Sequence, residues 1–155
     1  MESCDYASCL MFNSVNYKRT ADYSNSTLIS NTSIRHSGDV MDHINKRGHH
    51  TIQVYLQKLP SNITHLFFTL SAWNSPTINH FPNPSLRFFD AANPKQDLCS
   101  TTFTHARHSQ AVIMCSVSRV GNGWSIFESG QLSQGNARKY GPLVNTIQSL
   151  IQKGV

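Results

Sequence analysis

Short apolar stretches alternate with turn-forming residues along most of the chain. From Ile52 to Gln57, apolar and polar residues alternate, which is the two-residue period of a strand with one buried face. Ile63 to Trp73 is a longer apolar run rich in aromatic residues, and it predicts a central strand buried on both faces. Gln110 to Arg119 predicts a second core strand. This pattern is typical of an all-β protein.

Shorter runs complete the predicted strands. They lie at residues 4–12, 28–34, 85–90, 98–104 and 124–130. Gly121-Asn122-Gly123 predicts a tight hairpin turn before the last of them, because Gly and Asn tolerate positive φ. Residues 13–25 are polar and predict a loop or a hairpin connection. Segment 76–84 contains three prolines and is excluded as a central strand.

The C-terminal end has a different period. Gly141-Pro142 places a proline where helices begin, and apolar residues then recur at helical spacing, at Leu143, Ile147 and Leu150. The sequence therefore predicts an all-β fold, a two-sheet β-sandwich with a short C-terminal helix, as a single domain over residues 1–155.

Composition argues against several classes of function. The 13 Lys and Arg exceed the 8 Asp and Glu, but they are spread singly, and nucleic-acid binding is not expected without a basic cluster. No stretch resembles a signal peptide or approaches the roughly 20 apolar residues of a membrane span, so we expect a cytoplasmic protein without a membrane partner. The four cysteines form no CxxC pair, and we expect reduced thiols.

One segment stands out because it has no apolar periodicity. Residues 36–50, HSGDVMDHINKRGHH, contain two Asp and four His. A loop of this length without structure of its own is usually functional or disordered. It is therefore the first place to look for a binding site.

Several phrases follow one another in the order of a known family. They are Asp5-Tyr6-Ala7-Ser8, His36-Ser37-Gly38-Asp39, Leu59-Pro60, Ala72-Trp73, Ser85-Leu86-Arg87, Arg119 to Trp124, and the Gly-rich close from Gly130 to Gly141. In this order the chain resembles the TerD (tellurite-resistance and stress-protein) family. The resemblance implies a sandwich with a calcium site at one end, a role in stress responses, and protein partners. It starts almost at Met1, so we expect either a fragment of a longer protein or a domain whose first sheet edge is left open.

The resemblance also implies which residues hold the metal. The predicted ligands are Asp5, Asp39, Asp42, His49 and His50. Ser3 stands where a second opening aspartate is expected, and Gly48-His49-His50-Thr51 replaces an acidic phrase. Calcium needs 6 to 8 oxygen ligands, whereas imidazole suits zinc, copper or nickel. The alternatives are no functional metal, weakened calcium binding, and a transition metal, for which His43 is a further candidate.

Two classes of function follow. The first is a non-enzymatic stress-type binding or scaffold domain with a degraded calcium site and a protein partner. The alternative is a metal-dependent binding protein or hydrolase that uses the 36–50 loop, with a histidine as general base. No catalytic residue is predicted, since no Ser/His/Asp order, paired Glu set or HExxH motif occurs.

Three other groups invite a chemical interpretation. His105, Arg107 and His108 predict a solvated connection rather than an acid–base site. Arg87 is expected to pair with Asp90 or another acidic neighbour. Trp73 and Trp124 are expected to pack in the core.

Overall fold

A computed structural model describes residues 5–22, 33–37, 40–42, 47–72, 75–78 and 84–154. For Asp5 and for residues 40–42 and 47–49 only the backbone is described.

The described chain consists of strands, two short 3₁₀ helices and one α-helix. The 3₁₀ helices span Leu56–Lys58 and Thr104–His108. The strands and the helix are β1 Asp5–Asn13, β2 Asn16–Ala21, β3 Ile34–His36, β4 Val40–Asp42, β5 Arg47–His49, β6 Ile52–Val54, β7 His65–Ala72, β8 Ser85–Phe89, β9 Asp97–Thr102, β10 Ala111–Val120, β11 Gly123–Ser133 and α1 Gly141–Gln152. The prediction of a mainly β fold that ends in a short helix is confirmed.

A five-stranded antiparallel sheet organises the domain. Its strand order is β11-β10-β7-β1-β2, and the pairs β3-β6, β4-β5 and β8-β9 form separate two-stranded sheets. β7 occupies the centre, and all its residues after His65 are buried, as its continuous apolar run predicts. β10 and β11 are joined through Gly121, whose φ of 58° suits the predicted tight turn.

Each face of the five-stranded sheet covers a core. On one face, residues of β1, β7 and β10 pack with side chains of β6, β8 and the segment around Leu59. On the other face, α1 inserts Leu143 and Ile147 against apolar residues that include Leu10, Phe12 and Phe67. A bulge between Ile113 and Cys115 interrupts the β10 register against β7. It places both Met114 and Cys115 in the cores.

Two predictions about polar segments need correction. Within residues 13–25, which we expected as a loop or connection, Asn16–Ala21 is the strand β2 and pairs with β1. Within the predicted 36–50 loop, β4 pairs with β5, and Ser37 N–H donates to Thr51 O at 2.8 Å. These strands pair through backbone ladders, and their sequences carry no two-residue apolar period that could have revealed them. Of the predicted strand 28–34, residues 28–32 lie outside the described residues.

Other predictions agree with the structure. Arg87 Nε donates to the acidic neighbour Asp97 at 2.5 Å, and Trp124 packs against the core. His105, Arg107 and His108 are exposed on the second 3₁₀ helix. Trp73 lies outside the described residues. Within the described ranges, no helix is both long and apolar enough to cross a membrane.

Candidate functional site

Two histidines meet beside the start of β1. His36 ends β3, which is held in place by its antiparallel pairing with β6. Its side chain is 7% exposed, and its Nε2 lies 2.8 Å from the carbonyl oxygen of Ala7 in β1. Because a carbonyl oxygen can only accept, Nε2 of His36 must carry the hydrogen. Nε2 of His36 is therefore unavailable as a metal ligand while this bond is made.

The second imidazole belongs to a predicted ligand. His50 is half-buried directly after β5, and its ring centroid lies 6.3 Å from that of His36. The strands β3 to β6 form the hairpin of this site, from Ile34 to Val54. Ser37 pairs with Thr51 within it, which brings the two imidazole rings onto the same part of the hairpin.

The backbone places three more predicted ligands. Asp5 opens β1 at the register position of Ala72, two residues before the Ala7 carbonyl that receives His36. His49 pairs with Val40, and Asp42 pairs with Arg47 at the far end of the β4–β5 pair. Asp5 and His50 therefore belong to the same end of the sheet, whereas a basic residue holds the register position opposite Asp42. Asp39 and His43 lie outside the described residues.

The described donor set does not fit calcium. Imidazole nitrogen dominates it, while calcium is held by several oxygen ligands, carboxylates foremost. Among the residues whose side chains are described, no three or more His, Cys, Asp or Glu are close enough to hold an ion. A calcium site here would have to draw its oxygen ligands from Asp5, Asp39 and Asp42.

A second polar cluster lies on the face of the sheet that α1 covers. Tyr140, at the N-cap of α1, donates its hydroxyl hydrogen to Oδ2 of Asp22 at 2.5 Å. The carboxylate is only 4% exposed, so this bond is made away from water. Tyr140 has then used its one hydrogen, and the buried Ser8 hydroxyl, 2.8 Å away, must donate to the Tyr140 oxygen. Burial and the bond to Asp22 raise the pKa of Tyr140.

This face of the sheet is unusually polar at the same end. Ser8 pairs with Thr69, and Tyr6 pairs with Ser71, so the side chains of each pair share a face. The hydroxyls of Thr69 and Ser71 are buried and have no hydrogen-bond partner in the described protein. A few buried polar groups of this kind occur in native folds, commonly beside ordered water.

The three thiols that the structure describes do not form a reactive centre. Cys9 and Cys115 are free and buried, and burial raises the pKa of the Cys115 thiol to about 12 and raises that of Cys9 as well. Partial burial, and then its bond to Glu128 at 3.2 Å, raise the pKa of the Cys99 thiol. All three are therefore protonated near neutral pH, and the thiol is the less nucleophilic form.

A family model described as the TerD domain matches residues 4–140. The chain belongs to the TerD domain family. The match spans β1, the hairpin, the two core strands and Tyr140, so both polar clusters lie within the TerD domain. The family resemblance inferred from the sequence is thereby confirmed.

Solved structures agree with this TerD fold. A crystal structure of a protein of unknown function superposes with a TM-score of 0.75, at 12% identity, and covers 92% of this chain and 86% of that one. A homologue of the telluride resistance protein TerD from Streptomyces coelicolor A3(2) also gives 0.75, at 9% identity, with the same coverages. At these identities the likeness concerns the fold. No curated protein sequence matches the chain.

Sequence reasoning missed three residues of these clusters in the TerD domain. His36 was part of a recognised phrase, but its bond to Ala7 spans 29 positions and leaves no local pattern. Asp22 and Tyr140 are 118 positions apart and meet only because the helix folds over the sheet. The available signal was a lone Asp in a polar segment, directly after β2, and a Tyr immediately before a helix.

Proposed function

We propose that this chain is a non-catalytic TerD-type binding domain whose calcium site is weakened. The observation that supports it most directly is the pair of imidazoles, His36 and His50, at the end of the sheet where Asp5 begins β1. Histidine nitrogen is a poor ligand for calcium, because calcium is held by charge and by the number of its oxygen ligands. Bound calcium would cross-link the hairpin to β1 and change no covalent bond.

A binding role fits the chemistry of the other polar groups. The Ser8 hydroxyl donates to the Tyr140 oxygen, and the Tyr140 hydroxyl donates to the Asp22 carboxylate. These hydrogen bonds therefore end at a buried carboxylate. The thiols of Cys9, Cys99 and Cys115 are held in their protonated forms. These arrangements stabilise a fold and prepare no nucleophile.

We further propose that the protein works in the cytoplasm with a protein partner. The free thiols of Cys9, Cys99 and Cys115 suit a reducing compartment. The excess of five positive charges is spread over the chain, which disfavours a nucleic-acid partner.

The strength of the calcium site is tested by thermal melts of a chelator-treated sample with calcium and with zinc. With about 1 mM calcium and a dissociation constant of about 1 mM, binding adds about 0.4 kcal/mol, or about 1 °C in melting temperature. An intact site with a dissociation constant of about 1 μM would add about 4 kcal/mol, or roughly 8–16 °C.

A variant that restores oxygen ligands makes the test sharper. The double replacement His49→Asp and His50→Glu should increase the calcium-dependent shift by several degrees, whereas His108→Asp, on the exposed 3₁₀ helix, should not. A wild-type calcium shift of 8 °C or more would contradict the weakened site. A zinc shift larger than the calcium shift, lost in His50→Gln, would favour the transition-metal alternative instead.

A further inference from the structure

The two edges of the five-stranded sheet are built differently. β2 is six residues long and exposes Lys18 and Arg19, and charged side chains on an edge strand discourage pairing with another chain. β11 is eleven residues long, and Glu128 is its one charged residue. It also exposes an aromatic side chain, since Phe127 is 49% exposed. The β11 edge therefore lacks the protection that the β2 edge has.

The register of the β10–β11 hairpin identifies the backbone groups of β11 that do not pair with β10. Val120 pairs with Gly123 across a two-residue turn, and such a pair exchanges both of its hydrogen bonds. Arg119, one residue before Val120, donates its N–H to Thr64 O on the side of β10 that faces away from β11. This bond agrees with the alternation that the Val120–Gly123 pair sets. Because antiparallel pairs alternate, Trp124, Ile126 and Glu128 direct their N–H and C=O groups away from β10. Within the described ranges no strand lies beyond β11.

The opposite end of the strand limits the open stretch. Gly130 has a φ of 81°, and its carbonyl oxygen lies 2.8 Å from Nε2 of His105. That carbonyl is therefore engaged within the chain, and the positive φ breaks the extended geometry. The edge open to pairing runs from Trp124 to Ser129.

We propose that this edge is a self-association surface, at which two copies pair antiparallel about a two-fold axis through Phe127. Ile126 then faces Glu128 of the second copy, and each such pair exchanges both backbone hydrogen bonds. Phe127 faces Phe127 of the second copy as a non-hydrogen-bonded pair, which is the pair type whose side chains lie closest together. Ser125 faces Ser129 of the second copy. The five-stranded sheet thus becomes one continuous sheet across two molecules.

Charge and side-chain size favour this register over its neighbour. Glu128 faces Ile126 rather than another Glu128, so the carboxylates are not directly opposed, and each one already accepts a hydrogen bond from Cys99 of its own chain. An axis through Ile126 would place Phe127 opposite Ser125 and leave both aromatic rings without an apolar partner. A small interface of this kind is weak and concentration-dependent. It does not depend on the calcium site.

Sedimentation velocity from about 10 μM to about 1 mM protein tests association, a range suited to a small interface. The wild type should shift from monomer toward dimer. Phe127→Lys should remain monomeric, because it opposes two like charges at the axis. Val120→Lys is the matched control: it gains the same charge on a side chain that is 62% exposed, but in β10 and off the free edge, so it should behave as wild type.

A charge-swap mixture tests the register. Phe127→Lys and Phe127→Glu should each be monomeric alone and should form a heterodimer when mixed, since the axis places position 127 opposite itself. A mixture that stays monomeric overturns the proposed axis. A wild type that stays monomeric at the highest concentration overturns self-association altogether, and would leave the edge to an extended segment of a different protein.

Cross-linking provides a readout that does not require the charged variants to fold. In a chain with Cys4 and Cys99 replaced by Ser, Phe127→Cys should form an intermolecular disulfide, because the α-carbons of such a pair lie about 4.5 Å apart. Ser125→Cys should not, since the two 125 positions would be four residues, or about 13 Å, apart along the strands. Cross-linking of Ser125→Cys without that of Phe127→Cys would contradict the register.

Discussion

Tyr140→Phe isolates the contact that fixes the beginning of α1 to the sheet. The substitution keeps the ring and removes only the hydroxyl that donates to Asp22 and accepts from Ser8. Ser8 is fully buried and Asp22 nearly so, which means that water cannot easily replace the lost partner. The helix would retain the apolar contacts of Leu143 and Ile147.

The expected cost follows from these two bonds. A hydrogen bond to a charged group contributes about 1.5–3 kcal/mol, and a buried hydroxyl left without its partner costs about 1–3 kcal/mol. The two effects overlap, because Ser8 can rotate toward another acceptor. We therefore expect a loss of about 3 kcal/mol in the free energy of unfolding, or about 6–12 °C in melting temperature.

Urea and thermal melts followed by circular dichroism measure this loss. Tyr55→Phe is the control: Tyr55 is 42% exposed, and its ring still lies under the Lys58 ammonium after the change. It should alter stability by less than about 0.5 kcal/mol. A Tyr140→Phe protein as stable as the control would refute the role of this bond in holding the helix.

Two further predictions concern buried thiols and backbone strain. Burial raises the folded-state pKa of Cys115 to about 12 and also raises that of Cys9, against an ordinary value of 9.0. The contribution of these thiols to stability is therefore complete below pH 9 and is lost as pH rises above it. Each thiol should remove about 1.4 kcal/mol per pH unit there, and Cys115→Ala should flatten the decline in urea melts between pH 8 and 10.5. Gly135→Ala should lower the free energy of unfolding by about 2–3 kcal/mol, because φ is 104° and the added Cβ would lie 3.0 Å from the Leu143 nitrogen. Gly141→Ala, whose Cβ would meet nothing within 4 Å, should be near neutral. An unchanged slope, or equal effects of the two glycine variants, would contradict these expectations.

The sequence predicted the elements that bury apolar side chains. The run through Leu66, Phe67 and Phe68 identified the central strand, and the spacing of Leu143 and Ile147 identified the helix, because burial imposes a period on the sequence. The sequences of the polar strands β2, β4 and β5 carry no such period. Their pairing is a property of backbone groups, which are the same for every residue except proline.

The candidate site was less predictable for a related reason. Acidic and histidine residues near one another in sequence, such as Asp42 and His49, could be recognised as potential ligands without any coordinates. Whether they converge is set by hairpin register, and a single bulge changes which residues face one another. The Asp22–Tyr140 contact could not be predicted from the sequence, because it joins the residue after β2 to the N-cap of α1, 118 positions later.

Both polar clusters depend on adjacent residues of β1. Ala7 accepts a hydrogen bond from His36 at its backbone carbonyl, which lies in the plane of the sheet, and the next residue, Ser8, directs its hydroxyl to Tyr140 on the helix side. One short stretch of β1 therefore contacts both the hairpin and the start of the helix. A shift of β1 by one register position would break the two contacts together. The hairpin that bears the proposed cation site and the helix that closes the core are therefore positioned by the same strand, and this strand also begins with the predicted ligand Asp5.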